Sequence, residues 1–71
     1  MSKHNEVTRF MWYMFNKWSY KEAIILFGEN LGDHIYRKYM IFESALAFYG
    51  ALDNECRQKL VDRANEIYKN Y

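Results

Sequence analysis

The chain of 71 residues contains no proline, three glycines and a single cysteine. One cysteine cannot form a disulfide within the chain, and no group of cysteine and histidine residues has the spacing of a structural zinc site. A single domain of this length, spanning residues 1–71, therefore depends on apolar burial or on association with another chain for its stability. The lack of disulfides favours a reducing compartment, and we expect a cytoplasmic protein.

The chain also lacks an excess of positive or negative charge. Ten Lys and Arg stand against nine Asp and Glu, which gives a formal net charge of +1 at pH 7. This balance gives no indication of a preference for nucleic acid or an anionic membrane. No apolar run reaches the roughly 20 residues that a membrane-spanning helix needs, and the first residues lack the pattern of a secretion signal. We expect no transmembrane segment and no secretion.

Motifs that carry catalysis are also missing. The sequence has no phosphate-binding loop, no serine-hydrolase motif and no zinc-protease motif. Glu29, Asp33 and His34 are interpreted as a solvated charge, a helix cap and an exposed imidazole rather than as metal ligands. Cys56 falls on an apolar helical stripe and is interpreted as a small hydrophobic residue, not a nucleophile. We predict no enzymatic activity, no catalytic residue, no metal site and no cofactor.

Apolar and aromatic residues are abundant instead, at 51% and 20% of the chain. These fractions are high for a small domain, in which a large share of the residues must lie at the surface. We therefore expect part of the apolar surface to contact another molecule.

The spacing of the apolar residues predicts an all-α fold with four helices, at about 6–17, 20–31, 34–51 and 54–70. Ser19 and Glu22 have the spacing of a capping box at the start of the second helix. Gly32 is predicted to end that helix in a left-handed conformation. Asp33 and Asp53 are predicted to cap the third and fourth helices.

The third predicted helix is apolar on more than one side, so we place it at the centre of a compact four-helix fold. Three helices with a loosely packed fourth are the alternative. Gly50 is interpreted as a close packing contact, or else as fraying before Asp53. Glu43 either reaches water or accepts a buried hydrogen bond from a tryptophan or tyrosine. Residues 1–4 are expected to be frayed.

The apolar stripe of the first predicted helix consists of Val7, Phe10, Met11, Met14, Phe15 and Trp18. Trp12 and Tyr13 flank this stripe, while Arg9 and Asn16 lie on its polar side. Aromatic residues with a polar tip supply much of the energy of protein interfaces. We therefore predict an interface at Trp12 and Tyr13 with Arg9 and Asn16 at its rim, the alternative being that both aromatics lie at the edge of the core. The predicted function is a non-enzymatic interaction module that forms a homodimer or larger homo-oligomer, or binds another protein.

Two other functions are less favoured. A helix, a glycine turn and a helix follow one another through the middle of the chain, and in a DNA-binding arrangement His34, Arg37 and Lys38 would face the major groove. The length and apolar character of the third predicted helix, and the dispersal of the other basic residues, disfavour this alternative. A third hypothesis lays the first helix flat on a membrane surface, but that helix carries few cations.

Overall fold

The computed structural model describes residues 5–69, and these form five α-helices with no strand among them. The helices are α1 (Glu6–Asn16), α2 (Tyr20–Phe27), α3 (Glu29–Met40), α4 (Ala45–Ala51) and α5 (Asn54–Lys69). The Cα radius of gyration is 11.5 Å, close to the value of about 11 Å expected for a compact chain of this length. The compact all-α class is confirmed, whereas the count of four helices is not. The predictions for residues 1–4 and for residue 70 lie outside the described residues.

Three helix starts follow the local capping signals. The backbone N–H of Thr8 donates to Asn5 Oδ1 at 2.9 Å, that of Glu22 to Ser19 Oγ at 3.2 Å, and that of Cys56 to Asp53 Oδ1 at 2.9 Å. Each bond satisfies a backbone donor that has no partner inside its helix. The predicted starts of the first, second and fourth helices are therefore confirmed.

The second helix ends earlier than predicted. Gly28 has a φ of +87°, a conformation that side chains with a Cβ rarely adopt, and its N–H donates to the carbonyl of Ile24 at 2.8 Å. Gly32 therefore does not end α2 but lies buried inside α3. Asp33 is also inside α3 and only partly buried, and the position predicted for it at the start of the helix is taken by Gly28. A Cβ at Gly32 would lie 2.6 Å from the carbonyl oxygen of Ala23. This glycine is required for the close approach of α2 and α3.

The predicted third helix is in fact two helices. The N–H groups of Ile41 and Phe42 donate to carbonyls three residues back, at 3.2 and 3.1 Å, and so tighten the end of α3. Ser44 then starts α4 by accepting a hydrogen bond from the N–H of Ala47 at 3.1 Å. The prediction of one continuous helix was wrong because this capping signal stands inside an apolar run.

The structure also distinguishes between the alternatives given for Gly50 and for Glu43, and it confirms that Glu43 reaches water. Gly50 is exposed, and in the described part of the chain no atom lies within 4 Å of a Cβ placed there. It is therefore not a packing contact. Glu43 is exposed in the turn between α3 and α4, so its carboxylate is not buried against a tryptophan or tyrosine donor.

The core lies where α1, α4 and α5 meet. The largest fully buried side chains are Tyr13, Phe10, Phe48, Leu60 and Val61. The ring of Phe10 stacks on Phe48 with 6.3 Å between centroids and contacts Tyr49 edge-on at 4.9 Å. The α3 helix contributes only Ile35 to the buried cluster. The central position predicted for the third helix therefore applies mainly to its second half, α4.

Candidate functional site

The interface predicted on α1 is only partly exposed. The buried face of this helix runs through Phe10, Tyr13 and Met14, whereas Phe15, predicted to lie in the apolar stripe, is exposed. Tyr13 has 0% of its surface in contact with solvent. The prediction that Tyr13 lies at an interface was therefore wrong, and its place is in the core of the chain.

A polar network explains why Tyr13 is buried. Its hydroxyl donates to Glu22 Oε1 at 2.5 Å, and Arg63 donates to both oxygens of the same carboxylate, from Nε at 3.0 Å and from Nη2 at 3.1 Å. The network joins α1, α2 and α5, and we call it the Tyr13 junction. Glu22 therefore contacts Tyr13 and Arg63 instead of closing the predicted capping box.

The protonation states in the Tyr13 junction follow from these contacts. The hydrogen bonds from Arg63, and then the one from Tyr13, hold the pKa of the Glu22 carboxyl below its usual value. Burial raises the pKa of the Tyr13 hydroxyl, and the neighbouring Glu22 raises it further. An ionised carboxylate thus faces a neutral phenol and a guanidinium, which satisfies every member of the network.

The other three residues of the predicted α1 interface lie near α5 or bond within α1. Arg9 donates from Nε to Asn65 Oδ1. The indole of Trp12 is partly buried and contacts the ring of Tyr68 edge-on, with 5.3 Å between centroids. Asn16 is exposed and donates to the carbonyl of Trp12 at 2.8 Å. An interface role for Arg9, Trp12 and Asn16 stays a prediction.

The residues of the DNA-binding alternative all lie on α3. His34 and Arg37 are exposed, and Lys38 is partly buried. Arg37 Nε lies 2.9 Å from Asp33 Oδ2, so the charge of its guanidinium is offset locally. One residue, Gly28, separates α2 from α3, whereas the turn of a DNA-binding helix-turn-helix contains three or four. DNA binding stays a prediction.

A surface that the sequence did not reveal is the corner between α3 and α4. Met40, Ile41 and Leu46 are 67%, 81% and 54% exposed, and we call them the corner surface. Phe42 from the same turn packs inward on Phe48, with 6.0 Å between ring centroids. The break in the helix therefore turns aliphatic side chains outward. The capping signal at Ser44 was the feature from which this corner could have been found.

A second surface is a groove between α2 and α5 with a volume of about 790 Å³. It is lined by Ile25 and Leu26 from α2 and by Lys59, Asp62, Arg63 and Glu66 from α5. We call it the α2–α5 groove. Ile25 is 60% exposed, so an apolar side chain lies beside a charged helix face. The ammonium of Lys59 lies 3.4 Å from the carbonyl oxygen of Leu26.

Three features of residues 5–69 bear on reactivity, metal binding and membrane insertion. Burial and the neighbouring Asp53 raise the pKa of the Cys56 thiol, so the thiol form is favoured over the reactive thiolate. Within the described part of the chain, no three His, Cys, Asp or Glu side chains are grouped as metal ligands. No helix in that part is long and apolar enough to cross a membrane.

Comparison of the chain with protein-family models, with curated proteins and with solved structures finds no match in any of the three.

Proposed function

We propose that the protein is a non-enzymatic interaction module that acts by self-association into a homo-oligomer. The observation that carries this proposal is the exposure of large aliphatic side chains on the α2–α5 groove and on the corner surface. Single apolar residues at a surface are ordinary. Several that are close together expose a patch whose removal from water stabilises a complex by roughly 25 cal/mol for each Å² covered.

The balance of charge supports association with a second copy. The formal net charge of +1 means that two copies repel each other only weakly. Proteins whose net charge is close to zero associate more readily than highly charged ones. Self-association also covers apolar surface on both copies at once, which suits a chain too short for a large core.

Light scattering behind a sizing column, at widely separated protein concentrations, tests the proposal. We expect the measured mass to rise with concentration from 8.7 kDa towards a multiple of that value. A mass that stays at that of one chain over the whole range would contradict self-association.

Paired substitutions link the measurement to the exposed aliphatic side chains. The variant with Ile25→Glu and Ile41→Glu is expected to remain a monomer where the wild type associates. The control carries Asn30→Glu and Ala47→Glu, which change the net charge equally at exposed positions that lack a large apolar side chain. If both variants associate like the wild type, the exposed aliphatic residues do not drive association.

A further inference from the structure

The outer face of α5 carries charges of alternating sign. In chain order they are Glu55, Lys59, Asp62, Arg63, Glu66 and Lys69, all exposed except the partly buried Arg63. Residues three or four apart lie on the same side of a helix, so these side chains form one stripe. The stripe borders the α2–α5 groove, with Ile25 on the opposite wall. A partner that fits this surface must match both the charge order and the apolar wall.

We propose that a second copy of the chain docks on the α2–α5 groove about a twofold axis, with the two α5 helices antiparallel and the axis between Asp62 and Arg63. This inference rests on the self-association proposed above and adds the surface and its geometry. A twofold axis makes every contact occur twice, because the same patch is used by both copies.

The charge order supports this position of the axis. Antiparallel helices oppose residues that lie equally far from the axis on either side. Lys59 then faces Glu66 of the second copy, while Asp62 lies at the axis, beside both Arg63 and Asp62 of the second copy. Glu55 comes close to Lys69 of the second copy at each end. The pairs on either side of the axis are of opposite sign, which favours this docking over others.

Other arrangements of the same two faces are disfavoured by like charges. Moving the axis to Ala64 would set Lys59 against Lys69 and Asp62 against Glu66. A parallel pair of helices would set each residue of the stripe against its own copy. Like charges in contact cost affinity. The pattern therefore specifies both the direction and the register of the second helix.

Arg63 is partly buried and bound to Glu22, so the contacts between copies depend on the exposed side chains of Glu66 and Lys59. Glu66 accepts a hydrogen bond from Arg63 at 3.3 Å and is still 67% exposed. Lys59 is exposed as well. Exposed ion pairs contribute little affinity individually. We therefore infer that the charges set the alignment of the two α5 helices, whereas the affinity comes from removing Ile25 and Leu26 from water. The aliphatic stems of lysine and arginine side chains from the second copy suit this covering.

Charge-reversal variants of Lys59 and Glu66, measured separately and as a mixture, test the proposed arrangement of the two α5 helices. Lys59→Glu sets two glutamates against each other at both ends of the interface, and Glu66→Lys does the same with two lysines. We expect each variant alone to associate on the order of tenfold more weakly than the wild type. An equimolar mixture is expected to recover association, because one copy of each restores both opposite-charge contacts. The double variant, Lys59→Glu with Glu66→Lys, is expected to associate like the wild type.

Recovery in these experiments reports a contact between chains. Residues 59 and 66 lie about 10 Å apart along one helix, too far to pair within a chain. Lys17→Glu and Glu43→Lys are the controls, since each makes the same charge change at an exposed position that does not line the groove. Circular dichroism verifies that every variant is as helical as the wild type.

The outcomes separate this inference from the proposed function. Single variants that associate like the wild type, or a mixture that stays monomeric, would overturn the twofold arrangement while self-association stands. A wild type that is monomeric at every concentration would overturn both. Loss of association in the single variants, with recovery in the mixture and in the double variant, supports the proposed geometry.

Discussion

The burial of Tyr13 and of Ile41 is the reverse of what the hydropathy of these two residues predicts. Tyr13 carries a hydroxyl and contacts two charged side chains, yet it is fully buried, whereas the purely aliphatic Ile41 is 81% exposed. Three helices converge on the Tyr13 junction and supply an acceptor for the hydroxyl. At the corner surface the helix breaks, and no element within residues 5–69 covers Ile41. Burial in this small chain therefore depends on which elements converge, more than on the hydropathy of the residue.

Alanine substitutions at Tyr13 and at Ile41 should differ most in their effect on the free energy of unfolding. Tyr13→Ala is expected to lower the free energy of unfolding by about 3–5 kcal/mol, because it leaves a cavity in the core and removes a donor from Glu22. Ile41→Ala is expected to change it by less than about 0.5 kcal/mol. Chemical denaturation at a concentration where the wild type is monomeric measures both. Effects of equal size would show that the corner is covered within the chain.

Gly32 and Gly50 also differ in burial, and substitution of each by alanine tests how closely their backbones are packed. Gly32→Ala is expected to lower the free energy of unfolding by about 2–3 kcal/mol, since its Cβ would meet the carbonyl of Ala23 and force α2 and α3 apart. Gly50→Ala is expected to raise it by about 0.5–1 kcal/mol, because alanine favours a helix and no atom of residues 5–69 lies within 4 Å of the added Cβ. The same denaturation measurement checks both. A stabilising Gly32→Ala would contradict the close helix contact.

The charge on Glu22 should make the Tyr13 junction sensitive to acid. Glu22→Gln is expected to cost about 1–2 kcal/mol at neutral pH by weakening the bonds to Arg63 and Tyr13. The pKa of Glu22 is lowered in the folded chain. Its stabilisation is thus present above the unfolded-state value, about 4.3 for glutamate, and is lost as the pH falls through the lower folded value.

The measurement for this prediction is a comparison of two curves of stability against pH. The pKa values of Asp33 and Asp53 are also lowered, by a hydrogen bond from Arg37 and by one from the backbone of Cys56. These residues give both proteins an acid dependence, so only the difference between the curves reports on Glu22. We expect that difference to shrink as the pH falls below about 4.3. Parallel curves would contradict a role for the Glu22 charge.

The sequence was sufficient to predict helix starts that are fixed by residues close together in the chain. Ser19 and Asp53 each cap a helix through a residue three positions later, as predicted, so the short-range pattern was sufficient. The charged stripe on α5 depends on near neighbours as well, because its residues follow the helical period. Ser44 carries the same kind of capping signal, but the apolar residues on both sides of it favoured a continuous helix.

Features that depend on distant contacts could not be predicted in this way. The two glycines Gly28 and Gly32 look alike in the sequence, and only the packing of α3 on Ala23 distinguishes the turn from the contact. The burial of Tyr13 depends on Arg63, which lies on a helix remote in sequence. The interface predicted on α1 was therefore placed on a face that the folded chain partly covers.

The smallest expected effects concern association through surfaces outside the α2–α5 groove. Trp12→Ala and Ile41→Glu are each expected to leave the concentration dependence of the mass as in the wild type. The indole of Trp12 already packs on Tyr68 within the chain, and the corner surface lacks the charge order that specifies a second copy. Ile25→Glu, which alters the apolar wall of the groove, is the positive control and should weaken association.

Light scattering of these three variants distinguishes the surfaces from one another. Loss of association in Trp12→Ala alone would restore the interface first predicted on α1, with Arg9 and Asn16 at its rim. Loss in Ile41→Glu alone would assign self-association to the corner surface. Either result would mean that the charge order on α5 serves solvation only. An effect confined to Ile25→Glu would instead show that covering one exposed isoleucine beside a complementary charge pattern matters more than covering the three apolar side chains of the corner surface, which has no such pattern.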